Sequence, residues 1–566
     1  MKRSTTFQER LKNALQQFRR KSHYDSVMGD VWFFMPEQQV AGIREYVAQY
    51  IRHRQCSHYI KDKKNKEGKC QCGREYAWHE VTAGVTIPKE PASEKWNADK
   101  HSRITNADSY GTIQFSGFGH EPTKLSHYVR VDHQAEPKIV WELLSDHWQL
   151  PNPKLIISVT GGAKRFFMKS RLKQSFKRGL INAATTTGAW IVTGGTNAGV
   201  MEFVGEAVRD HTLTHAMSDQ EVVALGIATW GIVDNKESLI SDEEEGMFPA
   251  YYNIDELSPK SRRGVSPLDF NHTHFILVDN GTENKFGAEI KFRAALEHYI
   301  SEMMETGVAR NQSVHVPVVL LVLEGGENTI QTTAEAMIKN TPVVVIQGSG
   351  RAADCIAYAY RVTRSVDVLE EKTMYPPNFE EDLRSQAQVV FDWSKETDMS
   401  IRSQKIDKIV ENMKMIMDRR RLLTVFNLDD ADTTNEIDQA ILYALLKANR
   451  SNAQSQLNLA LAWNRCDVAR TEIFNIENRA QWQKMNLYEA MFTALVQDRA
   501  DFVQLFLDNG VDLKRFLTVR RLRDLYDDVI HDRYAGSAAD LLRHMLQHVQ
   551  VCGDKLIMIC WGLCTH

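Results

Sequence analysis

Short runs of apolar, largely β-branched residues recur through the middle of this chain, each ending at a glycine-rich turn with a helix-like stretch behind it. The runs are 155–159, 190–192, 316–323 and 343–346. The turns are Thr160-Gly161-Gly162, Thr193-Gly194-Gly195, Gly325-Gly326 and Gly348-Ser349-Gly350. Further strand-like runs stand at 222–228 and 273–278, and helix-type spacing fills 168–186, 287–304 and 329–340. Strands that read as continuous apolar runs are buried on both faces, which predicts a parallel sheet with helices on each side. From about residue 385 the pattern turns helical, with apolar residues at three- and four-residue spacing over 437–448, 456–464 and 486–497. Segments 461–468 and 495–502 look alike, and Asp467 and Asp501 stand 34 residues apart, close to an ankyrin period. The expected architecture is an α/β Rossmann-like parallel-sheet domain followed by an all-α, ankyrin-like helical repeat domain. The expected divisions are 1–150 (mixed α/β), 151–370 (nucleotide-binding) and 385–566 (helical repeats).

Bulk numbers narrow the class without naming a function. At 566 residues the chain is too long for one ordinary domain. The net charge of -4 gives no global drive toward nucleic acid or anionic membrane, so a basic binding surface must be local. No run is long and apolar enough to span a bilayer, and the first residues lack a signal-peptide core. Eight scattered cysteines suit a reducing compartment better than a disulfide framework, and a cytosolic chain is expected. Residues 7–21 read as a basic amphipathic helix. The link 238–266, acidic at 242–245 and basic at 260–263, reads as a mobile surface insertion. The apolar, abrupt end at 556–563 suggests a piece of a longer protein.

The chemistry suggested by the glycine turns is anion binding. Glycine lets backbone N–H groups approach a phosphate, and the helix N-terminus behind it adds positive potential. Lys164 stands two residues past Gly162, Arg351 follows Gly350, and Arg293 lies on the helix after 273–278. The helix dipole slightly disfavours a cation at a helix start, so Arg351 is either a solvated charge or has another reason to be there, which an anionic ligand would supply. Cys56, His58, Cys70, Cys72 and His79 hold metal-binding donor types. Usual zinc fingers separate paired ligands by two to four residues, whereas only one residue separates the closest pairs here. Free, partly buried cysteines are therefore the expected reading, structural zinc at Cys70/Cys72 is not expected, and no cofactor is assigned.

The segments Ser158-Val159-Thr160-Gly161-Gly162-Ala163-Lys164, 187–195, 228–231, 272–279 and Leu323-Glu324-Gly325-Gly326 closely resemble the N-terminal region of melastatin-type TRP (TRPM) channels. The resemblance covers about 40–370 well and the helical remainder plausibly. It is strongest to the ADP-ribose-gated branch of the family. It implies a SLOG-type Rossmann-like domain, then helical melastatin homology repeats. It also implies that longer relatives continue into a six-helix pore, a homotetrameric assembly and a place on the cytosolic face of the plasma membrane. By the same resemblance ADP-ribose is the regulatory ligand. Thr160, Gly161, Gly162, Ala163, Lys164 and Met201 would face it, Arg293 and Arg351 would bind its charged diphosphate and ribose region, and Gly326, Thr329 and Ser349 would line the rest. Phe286 stands where relatives commonly carry a tyrosine, which keeps a ring for stacking and loses a hydroxyl bond.

The wider SLOG superfamily includes LOG-type phosphoribohydrolases, whose signature places two glutamates after Gly-Gly-x-Gly-Thr. Here the stretch is Gly325-Gly326-Glu327-Asn328-Thr329-Ile330-Gln331-Thr332, so Gln331 and Thr332 occupy the carboxylate positions. Neither acts as an acid or base near pH 7, and binding without turnover is expected. Residues 405–423 combine Met413, Met415, Ile416 and Met417 with lysines and arginines, a composition shared by calmodulin targets and by packed helices; packing is favoured. The alternatives to a nucleotide sensor are a subunit-assembly scaffold with calmodulin binding and a LOG-like phosphoribohydrolase. The other implied partners are neighbouring channel subunits.

Overall fold

The computed structural model describes residues 35–531, apart from 63–67, 83–94, 118–124, 165, 215–220, 242–244, 255–264, 303–315, 366–372, 392, 394–397, 429–435, 451, 476–481 and 483–484. The basic helix expected at 7–21, most of the charged insertion runs at 242–245 and 260–263, and the apolar stretch 556–563 lie outside the described residues.

Fourteen described strands occur in chain order: β1 Arg52–Cys56, β2 Ser102–Asn106, β3 Tyr110–Ser116, β4 Leu125–Asp132, β5 Ile156–Gly161, β6 Trp190–Thr193 and β7 Ala224–Thr229. They continue as β8 Met247–Asn253, β9 His274–Asp279, β10 Val318–Leu323, β11 Val343–Ile346, β12 Arg364–Ser365, β13 Thr373–Met374 and β14 Leu423–Phe426. Ten of them form one sheet in the order β14-β11-β10-β5-β6-β7-β9-β4-β3-β8. Its pairings are parallel except for β3 with β4. β1 and β2 form a separate antiparallel pair.

The helices that bear on the site are α1 Glu37–Tyr50, α2 Ser170–Thr187, α3 Val200–Thr214, α4 Ile290–Glu302, α5 Glu327–Ile338, α6 Arg351–Val362, α7 Met399–Asp418, α8 Ile437–Ala448, α9 Ala453–Ala462, α10 Leu487–Val496 and α11 Ala500–Asp508. Side chains alternate across a strand, and here the alternation separates two helical layers. Ile157 and Val159 of β5, Leu321 and Leu323 of β10, and Val344 and Ile346 of β11 pack with α2, α3 and α8. Leu320 and Val322 of β10 and Val343 and Val345 of β11 pack the other way, onto α5, α6 and α7. Ile156 joins Trp190, Phe292, Leu296 and Ile300 on that same face, further along the sheet. Both faces are covered, which is why these strands are apolar throughout.

The sheet crosses the divisions expected at residues 150 and 385. β3 and β4 come from before the first, and β14 comes from after the second. α7 also belongs to the sheet domain: Ile406, Ile409, Val410, Met413, Ile416 and Met417 are buried against it. Beyond α8 the described residues form helices and turns. Asn464 and Asp498 both take positive φ, 53° and 55°, at the turns between helices. Each turn is closed by the same bond, Arg465 N–H to Ala460 O at 2.9 Å and Arg499 N–H to Ala494 O at 2.8 Å. The recurrence seen in the sequence is thus a repeated turn. Its neighbouring helices share a core of Leu457, Leu461, Met491, Phe502 and Phe506.

Candidate functional site

The chain order across the sheet reverses beside β5. From β5 it runs outward through β6 and β7 to β9, then returns to place β10 on β5's other side and continues to β11. Ligands of open parallel sheets sit outside the carboxyl ends of the strands at such a reversal. The four glycine turns lie at this edge, and those after β5 and β10 face each other across it. The Gly162 N–H donates to Leu323 O at 3.1 Å. A Cβ on Gly161 would stand 2.0 Å from Leu323 O, and one on Gly162 would stand 1.9 Å from a Glu324 carboxylate oxygen. Gly161 accepts only glycine, because the two strand ends touch there, whereas a side chain at Gly162 would have to displace the Glu324 carboxylate.

Three helices direct their N-terminal ends at this edge. The Val200 N–H at the start of α3 donates to Gly162 O at 2.9 Å. α5 begins behind Gly326, where the Thr329 hydroxyl accepts from Gly326 N–H at 3.2 Å and donates to Gly161 O at 3.4 Å. α6 begins at Arg351 behind Gly350. The positive ends of these helix dipoles make such an edge attractive to anions.

Glu324 occupies the centre of the edge, and sequence reasoning leaves it out of the site. One of its carboxylate oxygens accepts from Gly325 N–H at 2.6 Å, and the other lies 3.2 Å from Arg351 Nη1. The Glu324 N–H donates to Ser349 Oγ at 2.8 Å, and that hydroxyl donates to Ile346 O at 2.6 Å. Glu324 is 6% exposed whereas the Arg351 side chain is 32% exposed, so the pair presents its cation outward. The available signal was a glutamate directly before a Gly-Gly turn, where side chains are usually small.

The other expected site residues divide into three groups. Thr160, Gly161, Gly162, Gly326, Thr329, Ser349 and Arg351 come together around the β5/β10 junction. Ala163 and Lys164 follow on the exposed part of the same loop. Met201 is buried beside the next turn, where a Cβ on Gly194 would lie 3.6 Å from its sulfur. Arg293 reaches the junction from below. Its Nη2 donates to Ser158 Oγ, Val159 O and Val192 O at 2.7, 3.0 and 2.9 Å, and its Nε donates to Glu297 at 2.9 Å. At 7% exposure it ties the ends of β5 and β6 together. Phe286 is 50% exposed on the loop between β9 and α4.

A second network supports the β6 turn. The Thr193 hydroxyl lies 2.7 Å from His272 Nε2, and His272 Nδ1 lies 2.9 Å from Asp269. The arrangement matches a nucleophile–base–acid chain, yet all three residues are at most 1% exposed. No substrate reaches them there; they clamp the 266–272 segment onto β6. At the opposite, N-terminal ends of β6, β7 and β9 lies a cavity of about 290 Å³, lined in part by His127, Trp148, Trp190 and His274. Burial holds His127 down at about 4, so it is neutral at pH 7. The lining includes Glu221 and no lysine or arginine, so the cavity offers an anion less than the glycine edge does.

Comparison with known proteins identifies the family. Residues 126–407 match the family described as "SLOG in TRPM", and residues 472–552 match the "TRPM2-like domain". The chain is 42% identical over 488 residues to transient receptor potential cation channel subfamily M member-like 2 of Nematostella vectensis, covering 86% of this chain and 30% of that protein. It is 40% identical over 512 residues to subfamily M member 2 of Rattus norvegicus, covering 88% and 32%. Subfamily M member 7 of Homo sapiens is 36% identical over 517 residues, covering 88% and 25%. The chain thus spans at most about a third of the length of these curated relatives. With its sheet, its reversal at β5 and its glycine edge inside the matched SLOG region, the chain belongs to the TRPM family.

Proposed function

We propose that this chain is the ligand-sensing and assembly region of a TRPM-type calcium-permeable cation channel, and that it binds ADP-ribose or a related adenine nucleotide without turnover. The observation that carries the reading is Arg351, held by Glu324 at the mouth of the β5/β10 junction among three helix N-termini. A diphosphate is favoured by a cation and by helix N-termini, and Arg351 and the starts of α3, α5 and α6 stand at one edge. Thr160, Gly161, Gly162, Ala163 and Lys164 would cradle the anion, with Gly326, Thr329 and Ser349 opposite. Arg293 would position the two strand ends, Met201 would line the floor, and Phe286 would offer a ring to the base.

Absence of turnover is supported by the state of the carboxylates. Gln331 and Thr332 replace the acidic pair of the LOG signature. Both Glu324 oxygens already have partners, and Glu327 lies 3.5 Å from Lys405 on α7. Calmodulin binding would require α7 to surrender the apolar face now buried in the sheet domain. Among the described residues no helix is long and apolar enough to cross a membrane. Within a longer channel this region would lie on the cytosolic face of the plasma membrane and contact neighbouring subunits of a homotetramer.

Calorimetry of the chain with ADP-ribose tests the proposal. Saturable binding that is lost in Arg351→Ala is the expected result. Absence of binding at millimolar ligand would leave the assembly scaffold as the better reading. Accumulation of ribose phosphate after incubation would instead establish an enzyme.

A further inference from the structure

We propose that the cavity at the N-terminal ends of β4, β6, β7 and β9 is a second ligand site, shaped for a small planar organic cation of two fused aromatic rings. Its volume is about 290 Å³. A dry cavity of about 150 Å³ takes one benzene ring, so this one has room for two rings and few further atoms. Gln149, Pro151 and Glu221 are exposed members of its lining, whereas Trp148, Trp190, Val223 and His274 are buried. An apolar, aromatic interior with a few polar groups at the rim is the usual make-up of a small-molecule pocket.

Sheet register assembles the flat surfaces. His127 on β4 is paired directly with His274 on β9, so both side chains stand on one face of the sheet. Their ring centres are 5.3 Å apart and their planes differ by 11°. Trp148, from the loop before β5, lies 5.1 Å from His127 and 5.5 Å from His274. Trp190, at the start of β6, already gives its indole N–H to Pro151 O at 3.0 Å, so a ligand meets its ring and not its donor. Flat π-systems are held on such surfaces by offset stacking. The neighbouring Gln149 holds φ at 55°, a strained conformation of the kind that clusters at ligand clamps.

Charge decides the sign of the ligand. Among the described residues the lining has one carboxylate, Glu221, and no lysine or arginine. Thr185 and Gly188 in the lining belong to the end of α2, so that helix contributes the negative end of its dipole. His127 is neutral at pH 7 because of its burial and adds no repulsion. Indole faces beside a carboxylate attract an organic cation, through the ring quadrupole as well as the net charge.

The cavity is separate from the glycine edge, yet the same elements reach both. β6 begins at Trp190 in the cavity and ends at Thr193, before the Gly194-Gly195 turn. α2 runs the other way, from Ser170 beyond the Lys164 loop to the cavity. Its 18 residues put roughly 27 Å between the two places. Charge sorts the ligands: an anion drawn to Arg351 finds no cation in the cavity, and a cation suited to Glu221 is repelled by Arg351. The cavity therefore takes its ligand whether or not the glycine edge takes a nucleotide.

Titration calorimetry of the chain with 4-aminoquinoline, a two-ring cation at neutral pH, is the test, with naphthalene-2-sulfonate as an anion of similar size. The expected result is saturable one-to-one binding of the cation and none of the anion at the same concentration. Glu221→Gln, at an exposed position that the fold does not need, should weaken the cation about two- to fivefold, the range of one exposed ion pair. Thr185→Phe, at a half-buried position on α2, should fill the space and abolish binding while the thermal melt stays cooperative. Excess ADP-ribose should leave the cation bound. No binding of the cation at millimolar concentration, equal binding of the anion, or displacement by ADP-ribose would each overturn the site. Binding unchanged in a folded Thr185→Phe chain would overturn it as well.

Discussion

Arg351 Nη1 lies 3.2 Å from Glu324 Oε1, and both residues hold positive φ, 41° and 51°. A non-glycine residue in this region costs of order 1–3 kcal/mol, and two such residues in contact mark a constrained junction. Surrounding bonds impose it: Ala353 N–H donates to Glu324 O at 3.0 Å and Ala352 N–H to Gly325 O at 3.3 Å. The start of α6 is thereby pinned to the end of β10, and the Arg351 guanidinium stands at the mouth of the proposed site.

If the proposed site binds an anion, this pairing would make Glu324 a brake on it. Glu324→Gln removes a negative charge facing the ligand and leaves Arg351 without a competing carboxylate. The expected outcome is ADP-ribose affinity raised about three- to tenfold, in line with the modest net value of one charged hydrogen bond. Titration calorimetry reads it; a tenfold loss would mean that Glu324 chiefly holds Arg351 in place.

The glycines at the junction should divide into two classes. Gly161→Ala places a Cβ 2.0 Å from Leu323 O, a backbone atom that cannot yield without moving β10. A loss of about 3 kcal/mol is expected. Gly348→Ala meets nothing within 4 Å, but φ is +84°, so about 1–2 kcal/mol of backbone strain remains. Urea melts of the two variants should rank them in that order.

Arg130 is the second test of buried charge. It gives Asp279 two bonds, at 2.9 and 2.5 Å, and reaches Asp108 at 2.8 Å, with its guanidinium 4.4 Å from the Trp230 ring centre. Arg130 is 3% exposed and Asp279 1%. Arg130→Met strands the Asp279 carboxylate and should cost about 3–5 kcal/mol. Adding Asp279→Asn should recover much of that loss in a double-mutant cycle, which additivity of the two changes would rule out.

Two buried histidines set an acid limit. Burial holds His53 at about 4, with nearby Arg130 lowering it further against Asp108 and Asp279, and burial alone holds His127 at about 4. Their unfolded value is about 6.5, so the unfolded chain binds more protons between the two values. Their contribution to stability is therefore full above about pH 6.5 and is lost as pH falls toward 4, to the extent of about 3 kcal/mol each. His127 stacks against both Trp148 and His274, with ring centres 5.1 and 5.3 Å away. His127→Phe keeps a ring there, and its unfolding free energy should fall less steeply over that range; an unchanged slope would remove His127 as a cause.

The sheet could be read from the sequence because burial on both faces leaves continuous apolar runs. β5, β10 and β11 announce themselves that way, and the turns behind them carry glycine because strand ends touch there. The helical recurrence was legible for a similar reason: Asn464 and Asp498 perform the same turn, and a repeated turn repeats its residues. β3, β4, β8 and β14 escaped assignment to the sheet; β8 lies within 238–266, read as a mobile insertion, yet it pairs with β3 and buries Ala250 and Tyr252. β3 carries polar residues among its apolar ones, β14 has four residues, and the pairings of β3 with β8, β4 with β9 and β14 with β11 join strands far apart in sequence. Arg293 was placed in the site from the resemblance; the structure adds the carbonyls of Val159 and Val192 that it holds.

By itself the sequence determined the alternation of strand and helix, the glycine edge and the family, since periodicity, turn chemistry and local similarity are written along the chain. Tertiary structure alone decided three things: the reversal between β5 and β10, the pairing of Arg351 with a buried Glu324, and the gathering of Cys56, Cys70, Cys72 and His79 into one buried cluster that leaves out His58. Each joins residues across loops of variable length. A contact of that kind has no period along the chain, and its energy appears only once both partners have left water.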